Sequence, residues 1–225
     1  MPPIKIARFA GRELPANLAY ETNFANLDEF WWEGTPEVSA SGGSLFIRTK
    51  LQRDANCHHV STVFLKRPFK GDLFVEYEGR SIHDESHRNF NFFVHAKTRD
   101  GRGLYETRGE RTGDYPEYHV MDNYLFTCLK SDQQNPDGSD MFRYRMRRDP
   151  GFHLMKEAHA YRCENHRWYA FQYLIRKGEV GVCIDRLPHE AYTWLDPQPL
   201  AEGHIGFRSF QSHLEFRNLK VWAVG

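Results

Sequence analysis

The sequence has no excess of either charge. Its 30 Lys and Arg residues balance 30 Asp and Glu residues, and its 12 His residues add no formal charge at pH 7. Nonspecific binding to nucleic acid depends on a basic excess that releases counterions from the phosphates. We therefore expect no nucleic-acid partner, and ionic recognition has to come from local clusters of charge.

Long apolar runs and closely paired cysteines are missing as well. No window approaches the roughly 18 apolar residues of a membrane-spanning helix, and the N-terminal segment holds no apolar stretch of signal-peptide length. The four cysteines, Cys57, Cys128, Cys163 and Cys183, form no CxxC or other metal-binding spacing. We predict a protein that is cytoplasmic as given, has no membrane partner and keeps its cysteines reduced.

Few segments have the apolar spacing of a helix. Most apolar stretches alternate with a period of two and end at Gly, Pro, Asp or Asn, which is typical of strands. In Asp72–Glu78, for example, every second residue from Leu73 onward faces one side. The pattern predicts an all-β fold, a jelly-roll sandwich of two antiparallel sheets.

The sequence shows no linker, repeat or low-complexity segment. One domain over residues 1–225, with residues 1–17 as an N-terminal extension, is the simplest organisation. Short helices are expected at 26–32 and around 191–194.

The last third of the chain carries a more specific pattern. Trp168 opens the spacing W-x4-Y-x3-K-G-x-V-x-V-x-I-D, which is followed by GHIGFR at 203–208 and FRNLKVW at 216–222. This pattern resembles the last strands of concanavalin-A-like lectin/glucanase sandwiches. The resemblance implies that one of the two sheets is concave and carries the ligand site.

A closer resemblance lies in the middle of the chain. The segment Arg111–His119 (RTGDYPEYH), with Asn123-Tyr124 and RDPGFHL at 148–154, resembles the YesU-like family. That family consists of concanavalin-A-like proteins found with bacterial genes for pectin and other uronic-acid polysaccharides. The family continues with a Ser-Tyr-Phe-Arg-like stretch where this chain has FTCL at 126–129. The resemblance implies the fold and a uronic-acid context, and it extends from about Leu18 to the end.

Polar side chains recur on one face of two predicted strands. They are Glu117, His119 and Asn123 on the predicted strand 117–128, and Asn91 and His95 on the predicted strand 89–96. Solvated strands prefer Thr, Lys and Glu to His, Asn and Phe. We therefore favour a shared ligand cleft over an ordinary solvated sheet face.

Arginines are concentrated in Phe142–Asp149. Arg143, Arg145 and Arg147 share one face if this segment is extended, and Arg208 in GFRSF points away from the core. The planar guanidinium pairs with two oxygens of a carboxylate or sulfate. A charged sheet edge that prevents aggregation is an equally good interpretation of the arginine run.

Two hydrolase signatures are missing. The sequence has neither the E-x-D-x-(x)-E strand of retaining sandwich glucanases nor a G-x-S-x-G nucleophile motif. Hydrolysis of a glycosidic bond needs paired carboxylates, and Glu117 and Asp122 alternate to opposite faces of the predicted strand. β-Elimination suits the residues better, because it needs a base and a group that neutralises a uronate carboxylate.

We predict a lyase or dehydratase that acts on ulvan- or pectin-type oligosaccharides. His119 is the predicted acid/base, assisted by His95 and by Tyr118, which needs a bulge near Pro116 to reach the same face. The predicted substrate-binding residues are Asn91, Glu117, Asn123, Arg145, Arg147 and Arg208. A noncatalytic carbohydrate-binding module and a glycoside hydrolase with dispersed carboxylates are the alternatives, and a homodimer is left open.

No cofactor or catalytic metal is predicted. The closest histidines are His58-His59 and the pair His83 and His87. A zinc pair at this i, i+4 spacing needs a helix, whereas His83 and His87 lie between predicted strands. A structural calcium ion is left open, because nothing in the sequence specifies its ligands.

Overall fold

The computed structural model describes residues 5–225, and their regular structure is almost entirely strand. The strands are β1 (Lys5–Phe9), β2 (Arg12–Thr22), β3 (Phe30–Gly34), β4 (Glu37–Ser41), β5 (Ser44–Arg48), β6 (Val60–Leu65), β7 (Phe69–Lys70), β8 (Leu73–Ser81), β9 (Phe90–Lys97), β10 (Asp122–Gln134), β11 (Asp140–Asp149), β12 (His153–Arg162), β13 (Tyr169–Arg176), β14 (Glu179–Ile184), β15 (Ala191–Leu195), β16 (Glu202–Phe210) and β17 (His213–Val224). Short 3₁₀ helices occupy Arg108–Glu110, Tyr115–Tyr118 and Pro188–Glu190. Within residues 5–225, no helix is long and apolar enough to cross a membrane.

The strands form two antiparallel sheets that pack face to face. The back sheet has nine strands, in the order β1-β2-β17-β8-β13-β14-β15, with β5 attached to β17 and β4 to β5. The front sheet has eight strands, in the order β12-β11-β10-β9-β16-β6-β3, with β7 attached to β16. The predicted all-β sandwich of two antiparallel sheets is confirmed.

Aromatic side chains from both sheets fill the space between them. Tyr77 of β8 contacts Phe92 of β9 and Phe207 of β16, with ring centroids 5.1 and 4.9 Å apart. The Tyr77 hydroxyl is 2.9 Å from that of Tyr173 on β13, so its polar end is satisfied inside the core. The predicted inward face of β8 is confirmed, since its alternate residues from Leu73 to Tyr77 are buried.

Side chains of β1 and β2, the first two strands of the back sheet, cover the outer face of β8 and β17 in the same sheet. Phe74 of β8 and Trp222 of β17 pack against Phe9 and Leu14 in a second buried cluster. Because both faces of β8 are buried, the strand carries apolar side chains at consecutive positions, from Leu73 to Val75.

Both predicted helices are wrong. Residues 26–32 form turns followed by β3, in which Trp31 and Trp32 pair with Phe64 and Val63 of β6. Residues 191–194 belong to β15, which pairs with β14. Pairing with an existing strand satisfies the backbone groups of these short segments more fully than an isolated helical turn would.

His95 does not share a face with Asn91 because β9 contains a β-bulge. The register of β9 with β10 and with β16 shifts around this residue, and His95 has a positive φ of 55°. His95 is fully buried, and its Nδ1 lies 2.9 Å from the carbonyl oxygen of Leu200. Burial lowers the pKa of His95 to about 4, so the neutral ring donates this hydrogen bond.

Replacing His95 by Asn should change the pH dependence of stability. The unfolded histidine binds a proton below about pH 6.5, whereas the folded one does so only near pH 4, so wild-type stability falls as the pH falls through this window. We expect the wild type to lose about 3 kcal/mol relative to His95→Asn between these two pH values. Urea unfolding at several pH values measures this difference, and parallel curves for the two proteins would contradict the explanation.

Candidate functional site

A row of polar side chains crosses the outer face of the front sheet. Each residue lies directly opposite the next in the strand register, from β12 to β3. The row consists of Glu157, Arg145, Thr127, Asn91, Arg208, Thr62 and Glu33. A polar row through the middle of a sheet is unusual unless the residues bind one another or a ligand.

One half of this outer face is covered by residues 98–121, here called the covering segment. Leu104, Tyr118 and Met121 of this segment pack against Phe64 and Phe93 of the sheet. The covering segment ends at the polar row, where Asp114–His119 stands beside the uncovered half.

A buried ion pair holds the covering segment to the sheet. Arg111 donates from Nε and from a terminal nitrogen to the two carboxylate oxygens of Glu33, at 2.8 and 2.5 Å. Tyr118 donates to the same carboxylate at 2.7 Å, and Trp31 does so at 3.1 Å. Burial of Tyr118 and the neighbouring Glu33 charge raise its pKa well above the usual value. Tyr118 is therefore a core residue, and its predicted catalytic placement is not supported by the geometry.

Glu117 stabilises a turn through its carboxylate. Residues 115–118 form a 3₁₀ helix where a strand was predicted, with Asp114 and Glu117 as a capping box. The Glu117 carboxylate accepts hydrogen bonds from the backbone nitrogens of Thr112, Gly113 and Asp114 at 2.9 to 3.1 Å. The RTGDYPEYH segment is thus a structural motif that positions its last residue, His119.

The uncovered half of the outer face holds a cavity of about 450 Å³, here called the first cavity. It is lined by the predicted site residues Asn91, His119, Arg145 and Arg208. It is also lined by residues that sequence reasoning missed, which include Arg53, His59, Asp114, Tyr115 and Thr127. Arg53 and His59 lie in or after an irregular loop, where no periodicity signals them, whereas the D-x-x-E capping pattern could have located Asp114 and Tyr115.

Buried polar atoms without hydrogen-bond partners cluster at this cavity. Within residues 5–225 they include Nε of Arg208 and Arg145, Oδ1 of Asn91, Oγ1 of Thr127 and Nε2 of His119. Such atoms cost free energy unless a ligand or ordered water satisfies them. Four of these residues, Arg145, Thr127, Asn91 and Arg208, are consecutive in the polar row, and His119 stands at its edge. Their unsatisfied polar atoms therefore converge on one site.

Arg208 is the most deeply buried charged residue of this group. Its side chain is only 2% exposed, and no carboxylate of residues 5–225 lies within 4 Å of its guanidinium. The guanidinium lies 4.2 Å from the centre of the Tyr115 ring. Burial lowers the pKa of Arg208, because the desolvated guanidinium has no carboxylate in contact to compensate its charge. An anion bound here would compensate it.

His119 forms one wall of the first cavity. Its ring stacks on Phe152 with centroids 3.9 Å apart and meets Tyr115 at 4.8 Å, while its carbonyl accepts a hydrogen bond from Gly151. Burial lowers the pKa of His119, and the nearby charges of Arg208 and Arg147 lower it further. His119 is therefore neutral at pH 7 and can accept a proton.

Asn123 and Arg147 lie behind this wall. Asn123 is fully buried and donates to the Tyr118 carbonyl at 3.0 Å. The Arg147 guanidinium lies 3.9 Å from the centre of the Phe152 ring, on which His119 also stacks. Both residues hold the wall in place, and neither lines the first cavity. With Glu117, Tyr118 and His95, they are the predicted site residues that the structure leaves outside it.

Within residues 5–225, no three His, Cys, Asp or Glu side chains are grouped so that they could hold a metal ion. His83, part of the histidine pair considered for zinc, packs its ring against that of His213 at 5.0 Å.

Two antiparallel sheets with an aromatic core and a polar site on one outer face define a lectin-like jelly-roll sandwich. Residues 56–219 match the family described as "Domain of unknown function (DUF6250)", and the chain belongs to this family. No curated protein is significantly similar to the sequence.

Solved structures share this fold at low sequence identity. A Bacillus subtilis protein of unknown function with a galectin-like fold is 20% identical, with a TM-score of 0.74 and 99% of each chain covered. The carbohydrate-binding module CBM66 of Bacillus subtilis is 11% identical, with a TM-score of 0.57, and the alignment covers 88% of this chain and 98% of the module. An endo-β-1,3-glucanase of Pyrococcus furiosus is 10% identical, with a TM-score of 0.59 and 98% of each chain covered. The predicted lectin/glucanase-like sandwich is confirmed as a fold.

Two buried arginines, Arg208 of the front sheet and Arg111 of the covering segment, should respond oppositely to replacement. Arg208→Met removes an unpaired buried charge, so we expect the free energy of unfolding to stay constant or to rise by about 1–3 kcal/mol. Arg111→Met leaves Glu33 buried without its partner, so we expect a loss of about 3–5 kcal/mol. Urea unfolding measures both changes, and an equal loss in the two variants would show that Arg208 is compensated within the fold.

Proposed function

We propose that this protein binds a uronic-acid-containing oligosaccharide in the first cavity, with the uronate carboxylate held by Arg208 and Arg145. The observation that carries the proposal is the buried guanidinium of Arg208, which lacks a carboxylate partner in the part of the chain described. A planar guanidinium fits the two oxygens of a carboxylate, and burial strengthens such a pair.

The composition of the cavity supports a sugar acid over other anions. Arg53, Arg145 and Arg208 line it against one carboxylate, that of Asp114, so its charge is positive. Asn91 and Thr127 supply amide and hydroxyl groups of the kind that bind sugar hydroxyls.

Similar proteins also support this ligand class. The solved structures of this fold include a carbohydrate-binding module, a glucanase and lectins complexed with galactose or methyl-α-D-galactose. The RTGDYPEYH resemblance to the YesU-like family adds the uronic-acid context, and we propose kinship with that family on this motif.

Arg208→Gln should strongly weaken the binding of an acidic sugar. We expect trigalacturonate to bind to the wild type and to lose about 30-fold or more in affinity in this variant, because a buried charge-assisted pair is removed. Isothermal titration calorimetry measures the change, with the neutral trisaccharide of galactose as the ligand control. Arg99→Gln, which removes an exposed arginine outside the cavity, should leave the affinity unchanged. Equal affinity for the acidic and neutral sugars would refute the proposal.

A second candidate function, β-elimination at the same site, is favoured by the neutral His119. In this reaction Nε2 of His119 takes the proton from the carbon next to the carboxylate, and the electron pair forms the ring double bond. The bond to the oxygen on the following carbon breaks, and that oxygen leaves as a sugar hydroxyl or as water after it takes a proton from Tyr115. Arg208 and Arg145 stabilise the charge that develops on the carboxylate.

The groups present suit these roles. Burial raises the pKa of Tyr115, which keeps its hydroxyl protonated and able to act as the acid. Asp114 is the single carboxylate that lines the first cavity, so the pair that glycoside hydrolysis requires is not formed there.

The variant His119→Ala distinguishes a protein that catalyses elimination from one that only binds the sugar. If elimination occurs, turnover of pectin or ulvan oligosaccharides, followed by the ultraviolet absorbance of the unsaturated uronate, should fall by about 10²- to 10⁴-fold. Affinity should change only a few-fold. The wild-type rate should fall in acid as His119 becomes protonated, at a pH below the ordinary histidine pKa, because burial and the charges of Arg208 and Arg147 lower the pKa of His119. If these sugars bind to the wild type and the absorbance does not rise, elimination is excluded and the binding function stands.

A further inference from the structure

A second cavity adjoins the first one along the front sheet. Its volume is about 500 Å³, and Leu129 of β10 lines both cavities. Leu129 lies two residues beyond Thr127, so it is on the same face of the strand as the polar row. His87 of the second cavity meets Phe210 of the first with ring centroids 5.7 Å apart. The two cavities are therefore adjacent along β10, and together they are called the groove.

The charges in the second cavity differ from those in the first. Its two cations, Arg88 and Lys130, share one carboxylate, that of Asp140, at 2.6 and 3.0 Å. Three further carboxylates line it, which are Asp84, Glu85 and Asp132. Burial and the Lys130 charge lower the pKa of His87, so this ring adds no positive charge at pH 7. The second cavity is therefore acidic, whereas the first is basic.

The second cavity also offers hydrogen-bonding groups. Arg88 is 7% exposed, and its Nε has no hydrogen-bond partner among residues 5–225, although its terminal nitrogens bind Asp140 and the Cys163 carbonyl. The exposed carboxylates of Glu85 and Asp132 can accept hydrogen bonds from sugar hydroxyls. A uronate placed here would meet three carboxylates beside two cations that already contact Asp140, and this excess of negative charge disfavours it.

We propose that the second cavity is a subsite for a neutral sugar, so that the ligand is a uronate linked to an uncharged unit. This inference rests on the proposed function, because the first cavity has to hold the uronate. It specifies the substrate class further: heteropolymers that alternate acidic and neutral sugars are preferred over homopolymers of uronic acid.

Calorimetry with three probes tests this subsite. The probes are galacturonate alone, trigalacturonate, and a trisaccharide in which galacturonate is flanked by rhamnose. We expect the mixed trisaccharide to bind about tenfold more tightly than trigalacturonate, because only it avoids like-charge repulsion in the second cavity. The preference should weaken as salt is raised, because exposed charges are screened.

The double variant Glu85→Gln/Asp132→Asn removes two exposed carboxylates from the second cavity. It should raise the affinity for trigalacturonate about threefold to tenfold, because like-charge repulsion is removed. The affinity for the mixed trisaccharide should not rise, because the neutral unit experiences no such repulsion and Gln and Asn only retain acceptor oxygens for its hydroxyls. The control variant Glu13→Gln/Asp28→Asn, which neutralises two carboxylates away from the groove, should change neither affinity.

The outcomes distinguish this inference from the function on which it rests. Trigalacturonate that binds as tightly as the mixed trisaccharide, or an unchanged ratio in the double variant, overturns the neutral subsite while the uronate site stands. A mixed trisaccharide that binds no better than galacturonate alone also overturns it. Failure of all three probes to bind to the wild type overturns the proposed function and the subsite with it.

Discussion

The ion pair between Glu33 and Arg111 is the interaction on which the site depends. Glu33 closes the β3 end of the polar row, and its carboxylate is engaged by Arg111, Tyr118 and Trp31. This engagement holds the covering segment against the sheet and so creates the wall that ends at His119. It also prevents Glu33 from neutralising Arg208, which lies two strands away in the same row.

The opposite end of the row shows the same division of charge. Glu157 is held by Arg143 at 2.9 Å and lies farther from Arg145, at 3.8 Å. Each acid of the row is thus bound mainly by an arginine outside the first cavity. The centre of the row is left with cations whose charge the fold does not fully compensate. Since buried charge without compensation destabilises a protein, such an arrangement is more easily explained by ligand binding than by stability.

The sequence predicted those parts of the structure that follow strict alternation. Asn91, Arg145 and Arg208 were placed on the outer face because their strands are regular there. The errors arose where the backbone leaves the strand period. The bulge at His95 turned that side chain away, and the 3₁₀ helix at 115–118 removed the alternation on which Glu117, Tyr118 and Asn123 were placed. A β-bulge leaves no mark on the alternation of apolar and polar residues in the sequence. The approach of Arg53 to distant strands depends on tertiary contacts, which local periodicity does not reveal.

The neutral total charge of the chain has a physical consequence for recognition. Basic and acidic cavities lie side by side in one groove, so their fields cancel beyond about a Debye length, which is roughly 8 Å at physiological ionic strength. A polyanion such as nucleic acid therefore experiences little long-range attraction. On the proposed function, selection occurs only on contact, where Arg208 would meet one charged group and the carboxylates of the second cavity would meet the next unit. Short-range selection of this kind would discriminate among oligosaccharides by the order of their charges and not by their total charge.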